Sequence, residues 1–197
     1  MTCKLATPDF FNRNPAEVAR ELLGAKLIRR WHDLEIEGRI VETEAYLSQN
    51  DPASHSFIGT RPRNRWMFGP PGTLYVYTIH RRFCLNAVTE ATGIGSAVLI
   101  RAVEPLNHFE TLKQNRQREK IHELTTGPGK LCEALQINLS HNGTSLCDRT
   151  DLWIELPISA LPTIDEIVAT PRVGISKAKE LPLRFILKGN SFLSRKS

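Results

Sequence analysis

The apolar runs Leu74 to Ile79 and Phe83 to Val88 read as strands, and only His80, Arg81 and Arg82 separate them. Parallel neighbours need a crossover of about a dozen residues or more, so these two must pair antiparallel as a hairpin. Further strand-like runs lie at Lys26 to Ile28, Arg39 to Leu47, Ala97 to Val103 and Leu183 to Leu187, most of them bounded by Gly, Pro or Asn. Asn14-Pro15-Ala16-Glu17 opens a short helix, with Asn14 as its cap and Gly24 at its end. Helical patterns return around Pro105 to Arg118, Lys130 to Gln136 and Thr163 to Ala169. Strands outnumber helices, and neither a repeat nor a long linker divides the chain. The expected fold is α+β: one domain over residues 1–197, with a mostly antiparallel curved β-sheet surrounded by helices.

Several function classes are excluded early. Cys3, Cys84, Cys132 and Cys147 are too scattered for a disulfide framework, which points to a reduced, intracellular protein. The six histidines are never three to five apart and no H-E-x-x-H occurs, so no metal site is expected. The start Met-Thr-Cys-Lys-Leu has no apolar targeting core, and no apolar run approaches the roughly 20 residues of a membrane span. The formal charge of +5 is moderate, but its placement is informative. From Pro52 to Thr89 there is no acidic residue, while Arg61, Arg63, Arg65, Arg81 and Arg82 all fall there, and basic and acidic residues balance elsewhere. One basic segment on a neutral body suits a polyanionic partner.

Three features carry possible chemistry. In Arg39 to Leu47 the period of two places Val41, Thr43, Ala45 and Leu47 on one face and Glu42, Glu44 and Tyr46 on the other. Two carboxylates and a phenol make either a solvated face, common in antiparallel sheets, or a site for acid/base work. Arg101 interrupts the apolar run Ser96 to Val103 and needs a partner, either Glu104, a more distant acid or an anion at a site. The basic segment interleaves arginines with Trp66, Met67, Phe68, Tyr75 and Tyr77, the composition of a nucleic-acid groove, although such aromatics also serve as core. Thr126 to Lys130 presents backbone N–H groups at a helix start without the spacing of a nucleotide loop. Lys113, Arg116, Arg118 and Lys120 form a second basic cluster that also fits a solvated helix end.

Val41-Glu42-Thr43-Glu44-Ala45-Tyr46, Pro62-Arg63-Asn64-Arg65 with Met67-Phe68, Pro71 to Tyr77, Val98 to Pro105 and Gly127 to Cys132 stand in the order found in alkyladenine (3-methyladenine) DNA glycosylases. The chain resembles that family from about Phe11 to Phe185. The resemblance implies a monofunctional glycosylase that flips an alkylated or deaminated purine from duplex DNA and hydrolyses its N-glycosidic bond. No cofactor and no lyase step are implied, and a monomer suffices.

By position, Glu44 matches the general base and Arg101 the arginine that helps hold the attacking water. A carboxyl with a reference pKa of about 4.3 is expected to need little tuning for that work. Tyr46, His55 and Tyr77 match the base pocket, and Asn86 the residue that screens against the amino group of guanine. Met67 matches a side chain that probes the duplex, and His80 stands where the family often has an intercalating tyrosine, on a turn one residue shorter. Arg63, Arg65, Arg81, Arg82 and Lys130 are the expected phosphate contacts. A noncatalytic nucleic-acid-binding module of related fold would share the basic segment but have no use for Glu44 beside Tyr46 and Arg101. A nuclease would normally require a metal site.

Overall fold

The computed structural model describes residues 2–159 and 162–195. Its elements in chain order are β1 (Cys3–Leu5), α1 (Pro8–Phe11), α2 (Pro15–Glu21), β2 (Lys26–Trp31), β3 (Leu34–Tyr46), β4 (Leu74–Ile79), β5 (Arg82–Val88), β6 (Ala97–Pro105), α3 (Phe109–Arg116), α4 (Pro128–Ala134), β7 (Leu152–Pro157), β8 (Ile167–Thr170) and β9 (Arg184–Leu187). Short 3-10 turns at His55–Ile58 and Pro62–Phe68 shape the long connection between β3 and β4. The fold is α+β as expected: every strand pairing among the described residues is antiparallel, in the order β1-β7-β2-β3-β6-β5-β4.

Strand β3 organises the sheet. Its first half pairs with β2, its second half with β9 on the same edge, and β6 runs along its other side. Val41, Thr43 and Ala45 face α2, where the Thr43 hydroxyl donates to Ala19 O at 2.8 Å. Val18, Leu22, Leu23, Ile36, Ile40, Val98 and Ile100 close that core, each fully buried or nearly so. Each such side chain contributes roughly 1.5–3 kcal/mol. That load fixes the register, since a slip of one residue would carry Glu42 and Glu44 into the apolar layer.

The β3–β6 ladder is irregular where the charged residues lie. Ile40 pairs with Val103 and Glu42 with Ala102, which skips Val41; Thr43 then pairs with Ile100, which skips Arg101. Such bulges bend a strand and re-aim its side chains. Here they bring Arg101 level with Glu42 and Glu44.

Some elements differ from the sequence pattern. The helix expected at Thr163 to Ala169 is one 3-10 turn, Ile164–Glu166, followed by β8. Thr163 N–H and its hydroxyl donate to the Glu166 carboxylate, a genuine helix start, but β-branched Ile167 and Val168 then pair with β9. The helix expected from Pro105 begins at Phe109, because Pro105 ends β6 and His108 is left-handed with φ 48°. The Asn14 cap forms as expected, Oδ1 accepting Ala16 N–H at 2.8 Å.

Candidate active site

The polar face of β3 is not solvated. Glu42 and Glu44 are both 0% exposed, and Arg101 lies between them. Arg101 Nε donates to Glu42 Oε1 at 3.0 Å, and its Nη1 lies 3.3 Å from Glu44 Oε2. Glu104, the near candidate partner, pairs with Arg39 instead. An odd separation along β6 puts Glu104 on the face opposite Arg101.

The two carboxylates are satisfied differently. Glu42 accepts from Arg101 Nε, Arg184 Nε at 2.7 Å, Ser194 N–H at 2.6 Å and the Ser194 hydroxyl at 2.8 Å. Burial pushes its carboxyl up, but these donors outweigh burial and hold it below the ordinary carboxylate range. Glu44 accepts Val173 N–H at 2.7 Å and the Tyr46 hydroxyl at 2.9 Å, with Arg101 at the longer distance. There burial wins and raises the carboxyl above its usual value. Burial also raises the Tyr46 phenol, so Tyr46 remains a donor to Glu44.

A cavity of about 530 Å³ opens in front of this cluster, lined in part by Tyr46, His55, Tyr77, Asn86 and Arg101. All four residues expected in a base pocket are therefore gathered in one place. Glu44 itself stands behind the wall that Tyr46, Arg101 and Val173 form, and Arg101 reaches both the carboxylate and the cavity. His55 Nδ1 lies 2.8 Å from the Tyr75 hydroxyl, and its ring meets Tyr77 edge-on at 4.5 Å between centroids. Burial, assisted by Arg63, lowers the His55 imidazole, which favours the neutral ring. The Asn86 amide nitrogen donates to Tyr75 O at 2.9 Å and Cys84 O at 3.3 Å, which locks the side chain as a rigid part of the wall. Tyr75, Tyr77 and Ile79 share a strand side, but Tyr75 is core, Tyr77 half-buried and Ile79 exposed.

Sequence reasoning missed the residues that close the site from the far end of the chain. Arg172 forms a two-pronged pair with Asp51, each bond 2.6 Å, and its guanidinium stacks 4.7 Å from the Tyr46 ring centre. This pair ties the loop that carries His55 to the segment that carries Val173. Arg184 gave the same signal as Arg101, a charge inside the apolar run Leu183 to Leu187.

Around the cavity mouth the basic residues are distributed unevenly. His80 and Arg81 form the two-residue hairpin tip, with φ of 46° and 61°, and His80 borders the cavity. Arg63, Arg65 and Arg81 are exposed, while Arg82 pairs with Glu133 and Lys130 lies 3.3 Å from the Thr126 hydroxyl. Met67, expected to probe the duplex, is only 2% exposed: it packs with Tyr75, Val88 and Ala97 and borders the cavity from inside. The second basic cluster is neutralised in part: Lys113 pairs with Glu110, and buried Arg116 shares the Glu133 carboxylate with Arg82. Among the described residues no group of three or more His, Cys, Asp or Glu side chains is placed to hold a metal, and no helix is long and apolar enough to cross a membrane.

Comparison with known proteins matches this geometry to one family. The sequence model of methylpurine-DNA glycosylase (MPG) matches residues 9–191. A protein of Rhodopirellula baltica is 47% identical over 94% of this chain and 81% of its own length. One from Methanoculleus marisnigri is 46% identical over 95% of this chain and 97% of its own, and one from Alkaliphilus oremlandii is 43% identical over the same shares. All three carry the provisional name 3-methyladenine DNA glycosylase. A match of this extent, on a chain whose cavity gathers the motif residues Tyr46, Tyr77 and Arg101 in front of Glu44, leaves one conclusion: the chain belongs to the methylpurine-DNA glycosylase family.

Proposed function

We propose that this DNA glycosylase takes 3-methyladenine, 7-methylguanine, hypoxanthine and ethenoadenine as substrates, flipping the damaged purine out of the duplex into the aromatic cavity. The observation that carries the reading is the Glu44–Arg101 pair, buried directly behind that cavity. Glu44 accepts a proton from water, the water oxygen bonds to C1′, and the bond from C1′ to the purine nitrogen breaks. An N3- or N7-alkylated purine departs as the neutral base, whereas hypoxanthine or ethenoadenine departs as an anion that takes up a proton, from water or returned by the Glu44 carboxyl; the free base and an abasic sugar are the products. Arg101 reaches into the cavity and holds the water while balancing the carboxylate.

Alkylation at N3 or N7 makes the purine cationic, which both weakens the glycosidic bond and favours the faces of Tyr46 and Tyr77. Damaged or poorly paired bases also cost less to unstack, which adds selectivity. Asn86, fixed by two backbone carbonyls, excludes normal guanine by shape. His80 and Arg81 at the hairpin tip fill the gap left by the flipped base, while Arg63, Arg65, Arg82 and Lys130 contact phosphate. Met67 supports the cavity floor rather than touching the duplex. One domain acting as a monomer contains all of these parts.

The test is an excision panel: duplexes carrying each of the four bases, incubated with the protein and resolved by chromatography. Free base and an abasic strand are expected. Binding without release from any substrate would refute the enzymatic reading and favour a noncatalytic module. Glu44→Gln is expected to retain binding and lose excision.

A further inference from the structure

The proposed reaction uses Glu44 and Arg101 but assigns nothing to Glu42, Arg184 or Ser194. Yet Glu42 is the better-partnered carboxylate, with four donors between 2.6 and 3.0 Å. Two of those donors come from Ser194, 152 positions away in sequence. Arg184 Nη2 donates to Arg195 O at 2.9 Å, and Arg101 Nη2 to the Ser194 hydroxyl at 3.3 Å. The carboxy-terminal segment is thus stitched to both arginines and to Glu42. A buried ion pair adds little net stability over neutral packing of the same shape, so this cluster invites a purpose other than stability.

The geometry supplies that purpose. Glu42 takes the Nε of Arg101 at 3.0 Å and so fixes the plane of the guanidinium. Only Nη1 is left toward Glu44, at the longer 3.3 Å. We infer that Glu42, gripped by Arg184 and Ser194, is a positioning residue that aims Arg101 and holds part of its charge away from Glu44, which gives Ser194, at the far end of the chain, a part in setting the site. This inference rests on the proposed glycosylase reaction.

The groups facing Glu44 are Glu42 and Tyr46 from its own strand, Arg101 from β6 and Cys84 from β5, with Arg172 beyond the Tyr46 ring. Glu42 faces Arg101, Arg184 and Ser194. Burial raises the Cys84 thiol and the Tyr46 phenol, so both stay neutral in the acid range. Of the groups that face Glu42 and Glu44, the carboxylates themselves are left to titrate there, with Glu42 below Glu44; His55, across the cavity and lowered by burial, also titrates on the acid side, and its step is common to the wild type and both variants.

The experiment is single-turnover release of 7-methylguanine as a function of pH, for the full chain and two variants. This base carries a permanent positive charge, so its departure needs no acid and the acid limb reports the enzyme's base. Glu42→Gln frees Arg101 to serve Glu44 alone, and the limb should move to lower pH by about one unit or more. Ser194→Ala removes one donor from Glu42, which then draws harder on Arg101, and the limb should move to higher pH by a smaller step. Opposite shifts are not what general damage to the fold produces. If Glu42→Gln does not fold, Ser194→Ala decides, with a limb moved upward in support and a limb unmoved or lowered against. Wild-type excision with unmoved limbs in both variants overturns this inference alone, whereas absence of wild-type excision overturns the glycosylase reaction itself.

Discussion

Replacing Tyr46 by Phe isolates one hydrogen bond at the proposed general base, Glu44. The ring stays available for stacking, but the hydroxyl that donates to Glu44 Oε2 at 2.9 Å is lost. A hydrogen bond to a buried charged group contributes roughly 1.5–3 kcal/mol. That bond favours the ionised carboxylate only, so its loss raises the proton affinity of Glu44, at about 1.4 kcal/mol per pH unit. Burial has already raised this carboxyl, and the variant raises it further. The ionised base is then lost earlier as pH falls, and the acid limb for 7-methylguanine release should move up by about one to two units. Well above the new limb, where Glu44 is ionised in both proteins, the rate should return close to wild type. An unmoved limb with a lowered plateau would refute the reasoning, because it would mean that Tyr46 acts through stacking alone or that Glu44 is not the titrating base.

Arg172→Met leaves the Asp51 carboxylate buried with its two-pronged partner gone, and should cost about 3–5 kcal/mol in urea unfolding. A loss of about 1 kcal/mol or less, the range of a surface pair, would show that the pair does not hold the two loops together. Arg63→Ala and Arg81→Ala should each reduce the salt slope of DNA binding by about 0.9, measured by anisotropy across a salt series. Arg82→Ala should change it less, because the Glu133 carboxylate, shared with Arg116, offsets part of that guanidinium's charge; equal slopes for all three would place the phosphate path elsewhere. His55, lowered by burial and Arg63, should titrate below about 6.5 by NMR, and Arg63→Ala should move the midpoint upward. Because the folded-state value is depressed, the stability linked to His55 is full above the unfolded value and declines as pH falls; a midpoint above about 6.5 would contradict this.

What could be read from the sequence follows the range of the forces involved. Alternation along β3 correctly put Glu42, Glu44 and Tyr46 on one face, because the period of two is a local property. The burial of that face was not legible, since its cover comes from Val173 and Ser194, 129 and 152 positions away from the carboxylates they bond. Arg101 announced that it needed a partner, but the bulge that brings it level with Glu42 and Glu44 leaves no mark in the apolar run. The short β1 of three residues has no pattern to read, and it exists because β7 supplies its hydrogen bonds. The resemblance made Met67 a side chain that probes the duplex, yet its own 3-10 turn points it inward against Tyr75. The family resemblance, by contrast, pointed to Tyr46, His55, Tyr77, Asn86 and Arg101, which share one cavity, since it does not depend on knowing what folds over what; it did not extend to Val173 and its neighbours on the far wall.

The bulged ladder explains how the protein tolerates four charged side chains in its interior. Glu42, Glu44, Arg101 and Arg184 sum to zero formal charge, so the cluster is neutral as a whole although no member is solvated. Neutrality alone would make the two carboxylates equivalent. The bulges break that equivalence: Glu42 lies against β9 and the carboxy-terminal segment with four close donors, while Glu44 faces the cavity wall with two close donors and a more distant Arg101. One carboxylate absorbs the electrostatic demand of the fold, and the other is left under-satisfied beside the place where a substrate would sit. A regular ladder would align Arg101 with a single β3 position and lose this asymmetry, so the two irregularities, one skipping Val41 and one skipping Arg101, are what set Glu44 apart from Glu42.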